Sequence, residues 1–143
     1  MQCSPLAQFL IDKSAFARIA SNSVIRSTVA DLVIAGRVAT CAVIDLEILY
    51  SARSASAFHE IRRELSMIPK APINQDVCER AMEIQYALSK KSMHRSVTLP
   101  DLLIAACAEM AGLIVLHYDK DFDVISEITK QETRWISPRG SIN

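Results

Sequence analysis

Four acids stand where acids are seldom found. Asp12 ends the apolar run Phe9-Leu10-Ile11, Glu47 is set inside Asp45-Leu46-Glu47-Ile48-Leu49-Tyr50, Asp101 opens Pro100-Asp101-Leu102-Leu103-Ile104-Ala105-Ala106, and Asp119 follows Leu113-Ile114-Val115-Leu116-His117-Tyr118. Burying a carboxylate is costly unless it is paired, hydrogen-bonded or bound to a metal. Carboxylates gathered in one crevice also repel one another, and their pKa values rise unless positive charge intervenes. Oxygen-only ligands suit a hard cation, Mg²⁺ or Mn²⁺. Such an ion can orient a phosphodiester, acidify a bound water and stabilise transition-state charge. Metal-dependent phosphodiester hydrolysis is the chemistry this residue set could perform.

The elements that must position these acids can be read along the chain. Gln8 to Ile11 is apolar enough for a strand covered on both sides. Ser14 is a candidate cap for a helix through Ala20, the cluster Ser21-Asn22-Ser23 breaks it, and a second helix runs to Gly36. Arg37 to Val43 reads as a second strand, and a helix follows from Asp45, its N-cap, through the fifties. Leu65 to Pro69 is an edge-strand candidate because proline cannot donate to a sheet ladder. Asp76 and Glu79 have the spacing of a capping box opening a helix to about Lys91. Pro100 starts another helix and Gly112 stops it. Leu113 to Leu116 is the next strand, a short helix follows from Phe122, and Arg134 to Ile136 is the last strand. Strands alternating with helices imply an α/β fold with a mostly parallel sheet, whose chemistry gathers at the carboxyl ends of the strands. Asp12 and Asp119 would share a crevice if their strands are neighbours.

Composition narrows the class. The 143 residues, half of them hydrophobic, predict a single domain over 1–143. Sixteen Lys and Arg balance sixteen Asp and Glu, so any nucleic acid must be met by a local basic patch. Cys3, Cys41, Cys78 and Cys107 are scattered, form no Cys-x-x-Cys pair, and read as reduced core cysteines of a cytoplasmic protein. No segment is long and apolar enough to span a membrane, and the amino terminus has no export-signal pattern.

Other metal chemistries fit poorly. His59, His94 and His117 have no zinc-site spacing. Asp119, Asp121 and Asp123 mimic the start of a calcium loop, but Val124 stands where it needs glycine and Lys130 where it needs glutamate. Asp123 reads instead as a solvated helix-start acid, and Trp135 as core. Lys13, Arg53, Arg95 and Lys120 are candidates to position phosphates.

Taken in order, Leu10-Ile11-Asp12-Lys13-Ser14-Ala15, Leu46-Glu47-Ile48-Leu49-Tyr50-Ser51-Ala52-Arg53, Pro100-Asp101-Leu102-Leu103-Ile104-Ala105-Ala106 and His117-Tyr118-Asp119-Lys120-Asp121-Phe122 resemble the blocks of PIN-domain ribonucleases, and more closely those of the VapC toxins of bacterial toxin–antitoxin pairs. The resemblance covers nearly the whole chain. It implies a three-layer α/β/α fold around a central mostly parallel sheet, and an Mg²⁺- or Mn²⁺-dependent endoribonuclease that cuts structured RNA such as tRNA or rRNA. Asp12, Glu47, Asp101 and Asp119 would be the catalytic, metal-binding quartet. Asp121 would be a nearby fifth acid, and Ser14 would help to hold Asp12 or a metal-bound water. Similar proteins are homodimers silenced by a cognate antitoxin. Where the family usually carries Ser or Thr, two residues before the fourth acid, this chain has His117, which joins Lys13 and Arg95 as a candidate RNA contact and is a candidate metal contact as well.

Two rival readings have less support. A haloacid-dehalogenase-like phosphatase would use Asp12 as nucleophile, but Ser14 stands where such sites place a second aspartate. A catalytically inactive PIN-like module binding RNA or a protein partner would have no need of all four acids.

Overall fold

A run that is apolar at every residue is stable as a strand only when both of its faces are covered. In the computed structural model, which describes residues 6–142, Phe9–Ile11 is such a strand, β1, and it is buried throughout. It lies inside a wholly parallel sheet, between β2 (Val38–Ala39) and β3 (Ile114–His117), with β4 (Thr133–Trp135) beyond β3. The β1–β3 register pairs Phe9 with Ile114 and Ile11 with Leu116. The helices are α1 (Lys13–Phe16), α2 (Ser23–Ile34), α3 (Ala42–Tyr50), α4 (Ala55–Leu65), α5 (Gln75–Ser89), α6 (Leu99–Ala111) and α7 (Asp121–Thr129).

The strand order β2-β1-β3-β4 sends the chain from β1 one way along the sheet and from β3 the other way. Right-handed crossovers then place α1 and α2 over one face, and the helices that follow β2 and β3 over the opposite face. There α5, α6 and α7 pack on one another. The result is a three-layer α/β/α fold with a single contiguous core from Phe9 to Ile125. The direction reverses between β1 and β3, so their carboxyl ends flank a topological switch point, the usual place for a ligand crevice in an open α/β sheet.

Helix α6 runs through the middle of this core. Leu102 and every residue from Ile104 to Ala108 are buried, so the helix is apolar on almost all sides, as a helix packed between neighbours must be. Its ends are set locally. Thr98 Oγ1 accepts from the Asp101 amide at 3.3 Å, Pro100 occupies the first turn, and Gly112 ends the helix at φ +70°, a left-handed conformation that glycine adopts without strain. The Arg80 guanidinium grips Glu109 with two bonds, at 2.6 and 3.0 Å, and ties α5 to α6.

Several local expectations are corrected. The second strand is only Val38–Ala39, because Cys41 already serves as the extended N-cap of α3. Asp45 is therefore not a cap. It lies in the first turn of α3 and pairs with Lys70 at 2.8 Å. The helix expected to run through the fifties is split in two, with Ser54 capping α4 through a bond from the Ala57 amide. Leu65 to Pro69 forms no strand. Leu65 ends α4, and the segment after it contributes only an isolated bridge between Thr40 and Lys70. Asn74, not Asp76, caps α5, and Glu79 accepts from the Gln75 side chain rather than closing a capping box. Asp12, not Ser14, caps α1, which is four residues long. Cys41 and Cys107 are buried and Cys78 is half-buried, whereas Cys3 lies outside the described residues.

Leu10 is wholly buried at the middle of β1. Leu10→Ala should cost about 2–5 kcal/mol of stability through lost burial and the cavity left behind. Urea unfolding measures this, and a loss below about 1 kcal/mol would show that the sheet centre is less tightly packed than described.

Candidate active site

The site forms where β1 and β3 end. The Asp12 amide still donates to Leu116 O at 2.9 Å, continuing the sheet ladder. Its side chain turns to cap α1, with Oδ2 accepting from the Ser14 amide at 2.9 Å. Ser14 Oγ accepts from the Tyr118 amide at 2.8 Å across a gap of 104 residues in sequence, a bond that seams the start of α1 to the end of β3. Asp119 closes a tight turn, with Oδ1 accepting from the Asp121 amide at 2.9 Å. Asp101 is held in the first turn of α6 by the Thr98 cap, and Glu47 projects from α3.

These side chains meet. Asp12, Glu47, Asp101 and Asp119 line one cleft of about 410 Å³, together with Lys13, Ser14, Ala17, Arg18, Thr98 and Tyr118. Carboxylate oxygens of Asp101, Asp119 and Asp121 lie within 4.8 Å of one another. Asp121 thus lies beside Asp101 and Asp119, although it does not line the cleft.

The electrostatics follow from burial and repulsion. Burial pushes the Asp12 carboxyl up, the Ser14 hydroxyl and amide oppose that, and Asp119 adds to it. Glu47 is raised by burial and then by Asp12, with Lys13 acting in the opposite sense. Asp101 is pushed up to about 8, first by burial, then by Asp12 and Asp119, and then by its hydrogen bond with Asp121 and the charge of that acid. Asp12 Oδ1 and Glu47 Oε1 are buried without a hydrogen-bond partner, each a costly state for a carboxylate oxygen. Orphaned oxygens beside a tight cluster of acids are what a hard cation would satisfy, so the donor set fits Mg²⁺ or Mn²⁺.

His117 is corrected as a candidate RNA or metal contact. It is wholly buried, packed between the rings of Phe122 and Trp135 at 5.0 and 4.9 Å. Its Nδ1 accepts from the Asp119 amide at 3.1 Å, and burial holds its pKa down to about 4, so it stays neutral and fixes the Asp119 turn from below. Asp123 is not a solvated acid, because its carboxylate accepts from Trp135 Nε1 at 3.1 and 3.2 Å. Lys13 lines the cleft, whereas Arg95 stands exposed in the loop leading to Thr98. The sequence reading passed over Arg18, Thr98 and Tyr118. Thr98 carried a legible signal as a cap before Pro100, while Arg18 looks like any helix-surface arginine.

The parallel sheet with a carboxylate cleft at its switch point has counterparts among known proteins. The PIN domain family model matches residues 9–128. Ribonuclease VapC18 of Mycobacterium tuberculosis is 40% identical over 136 residues, covering 94% of this chain and 98% of its own. The chain belongs to the PIN-domain family, within its VapC group. Among solved structures, DNA-bound VapBC from Salmonella typhimurium superposes with a TM-score of 0.75 at 17% identity, covering 92% of this chain and 99% of its own. VapBC-5 from Mycobacterium tuberculosis, described as a member of a family of toxin–antitoxin systems, gives 0.60 at 22% identity over 92% and 98%. These two likenesses speak to the fold.

The shift at Asp101 has a consequence for stability. A carboxyl that titrates near 8 when folded, against an ordinary 3.8, keeps a proton between those values that the unfolded chain has released. Metal-free protein should therefore lose stability as pH rises from about 4 to about 8, and Asp101→Asn should flatten that fall. Denaturation in chelator at about pH 5 and about pH 8 measures it. Parallel pH profiles for wild type and variant would contradict the assignment.

Proposed function

We propose that this protein is a metal-dependent endoribonuclease toxin, cutting phosphodiester bonds in structured RNA such as tRNA or rRNA. The observation that carries the reading is the convergence of Asp12, Glu47, Asp101 and Asp119 on one cleft at the switch point, in a chain whose relative is named a ribonuclease.

In this reading Asp12, Glu47, Asp101 and Asp119 hold Mg²⁺ or Mn²⁺, with Asp121 supporting them. The ion, when bound, would supply Lewis acidity and a nucleophilic water at neutral pH. The chain's own residues do the remaining work. Ser14 fixes one oxygen of Asp12 through its amide and leaves the other, Oδ1, facing no protein partner. His117 and the Asp121 amide lock Asp119 in orientation, so little reorganisation remains for the moment of reaction. Asp101 must release its proton before it can act as a ligand, which ties ion affinity to pH. Lys13 offers a positive charge at the cleft wall for an RNA phosphate. Arg95 is placed on the exposed approach to the site.

We further infer that a cognate antitoxin silences the cleft, that the protein acts as a homodimer, and that it works in the cytoplasm. The toxin–antitoxin description of a structural neighbour supports the first of these. Among the described residues no helix is long and apolar enough to cross a membrane.

Asp12→Asn and Asp101→Asn should each lower RNA cleavage on the order of 10³-fold, the equivalent of several kcal/mol of lost metal-centred stabilisation. The measurements are cleavage of total bacterial RNA with purified protein, with chelator and then with Mg²⁺ or Mn²⁺ restored, and growth on induced expression without an antitoxin. Full cutting by Asp101→Asn, or full activity in chelator, would sink the reading. A phosphoenzyme on Asp12 would favour the phosphatase instead.

A further inference from the structure

An arginine beside several carboxylates normally pairs with one of them. Arg18 lines the same cleft as Asp12, Glu47, Asp101 and Asp119, yet among the described residues it forms no ion pair. Arg80 and Lys70, by contrast, each have a carboxylate within 3 Å.

Arg18 is nevertheless held in place. Its Nη1 donates to Ser14 O at 3.2 Å, in the same short segment that positions Asp12. Its guanidinium lies over the Tyr118 ring, 4.7 Å from the centroid. That ring is itself fixed. The Tyr118 hydroxyl donates to Ile142 O at 2.8 Å and accepts from Ile142 N at 3.0 Å, and Trp135 meets the ring edge-on at 5.3 Å. Arg18 Nε is buried with no hydrogen-bond partner. The side chain is thus a fixed cation with unused donors, set in an acidic cleft.

A planar guanidinium matches phosphate oxygens and cannot lose its charge, and support on an aromatic face lowers the entropy lost when it binds. Lys13, the other cation of the cleft, is a flexible point charge by comparison. An anion seated between Arg18 and the acids would meet the arginine's free donors on one side and any metal-bearing carboxylates on the other.

We propose that Arg18 is a phosphate-binding residue of the cleft and grips a backbone phosphate of the RNA strand. The inference rests on the ribonuclease reading. The rival role is structural: Arg18 would only tie the Ser14 carbonyl to the Tyr118 ring.

The test uses the full chain carrying Asp101→Asn, in which the expected loss of cutting leaves binding to be read, and a labelled RNA oligomer titrated at several salt concentrations. Adding Arg18→Gln should weaken binding about tenfold and make the plot of log affinity against log salt shallower by about 0.7–0.9, one phosphate contact. Arg18→Met keeps the aliphatic stem over Tyr118 and should behave likewise, which guards against a folding defect in the first variant. Arg18→Lys should restore the slope without the full affinity. In otherwise wild-type protein, Arg18→Gln should raise KM for RNA. An unchanged salt slope and KM in both neutral variants overturn the proposal even if wild type cuts RNA. Failure of wild type to cut RNA in Mg²⁺ with the slope effect intact would overturn the ribonuclease reading and leave the phosphate site standing.

Discussion

Repulsion among carboxylates is the constraint under which the rest of this structure is arranged. Asp12 and Asp101 are almost wholly buried, Asp119 and Glu47 face the same cleft, and burial and mutual repulsion together raise the pKa values of Asp12, Glu47 and Asp101. Left to themselves such groups would move apart or take up protons. What keeps them together is rigid support beneath each one: a strand end under Asp12, helix α3 under Glu47, the first turn of a capped and buried helix under Asp101, and a tight turn under Asp119.

The support is continuous across the site. Ser14 joins α1 to the end of β3, so the residues on either side of the switch point cannot separate without breaking a bond between distant parts of the chain. His117 stands directly below, neutral because it is buried, and accepts the amide hydrogen of Asp119. The imidazole fills the space between Phe122 and Trp135 while supplying the acceptor for the Asp119 amide. Rigidity of this kind suits a site that stabilises charge, because preorganised groups need not move when the charge develops.

Energy has therefore been concentrated at one place in the fold. A protein with no net charge carries at this cleft a strongly negative cup with two cations, Lys13 and Arg18, at its wall. Such an arrangement is strained by its own repulsion, and in the metal-dependent reading proposed above a bound cation would relieve it and so couple ion binding to folding. In that field an arginine that forms no ion pair among the described residues is conspicuous.

Sequence alone determined the features that depend on near neighbours. The apolar run Phe9-Leu10-Ile11 before Asp12 marked a covered strand with an acid at its carboxyl end. Pro100 and Gly112 bounded α6, because a missing amide and a left-handed φ act within one turn. The spacing of the acids with their flanking blocks was enough to point to the PIN-domain family. Tertiary structure decided the rest. The Asp45–Lys70 pair, the division of the helix at Ser54, the replacement of an expected edge strand by a single bridge, the burial of His117 and the setting of Arg18 all depend on residues far away in the chain. An acid, a histidine or an arginine reads the same in sequence whether it meets water or a partner, and only the folded arrangement fixes which of the two it meets.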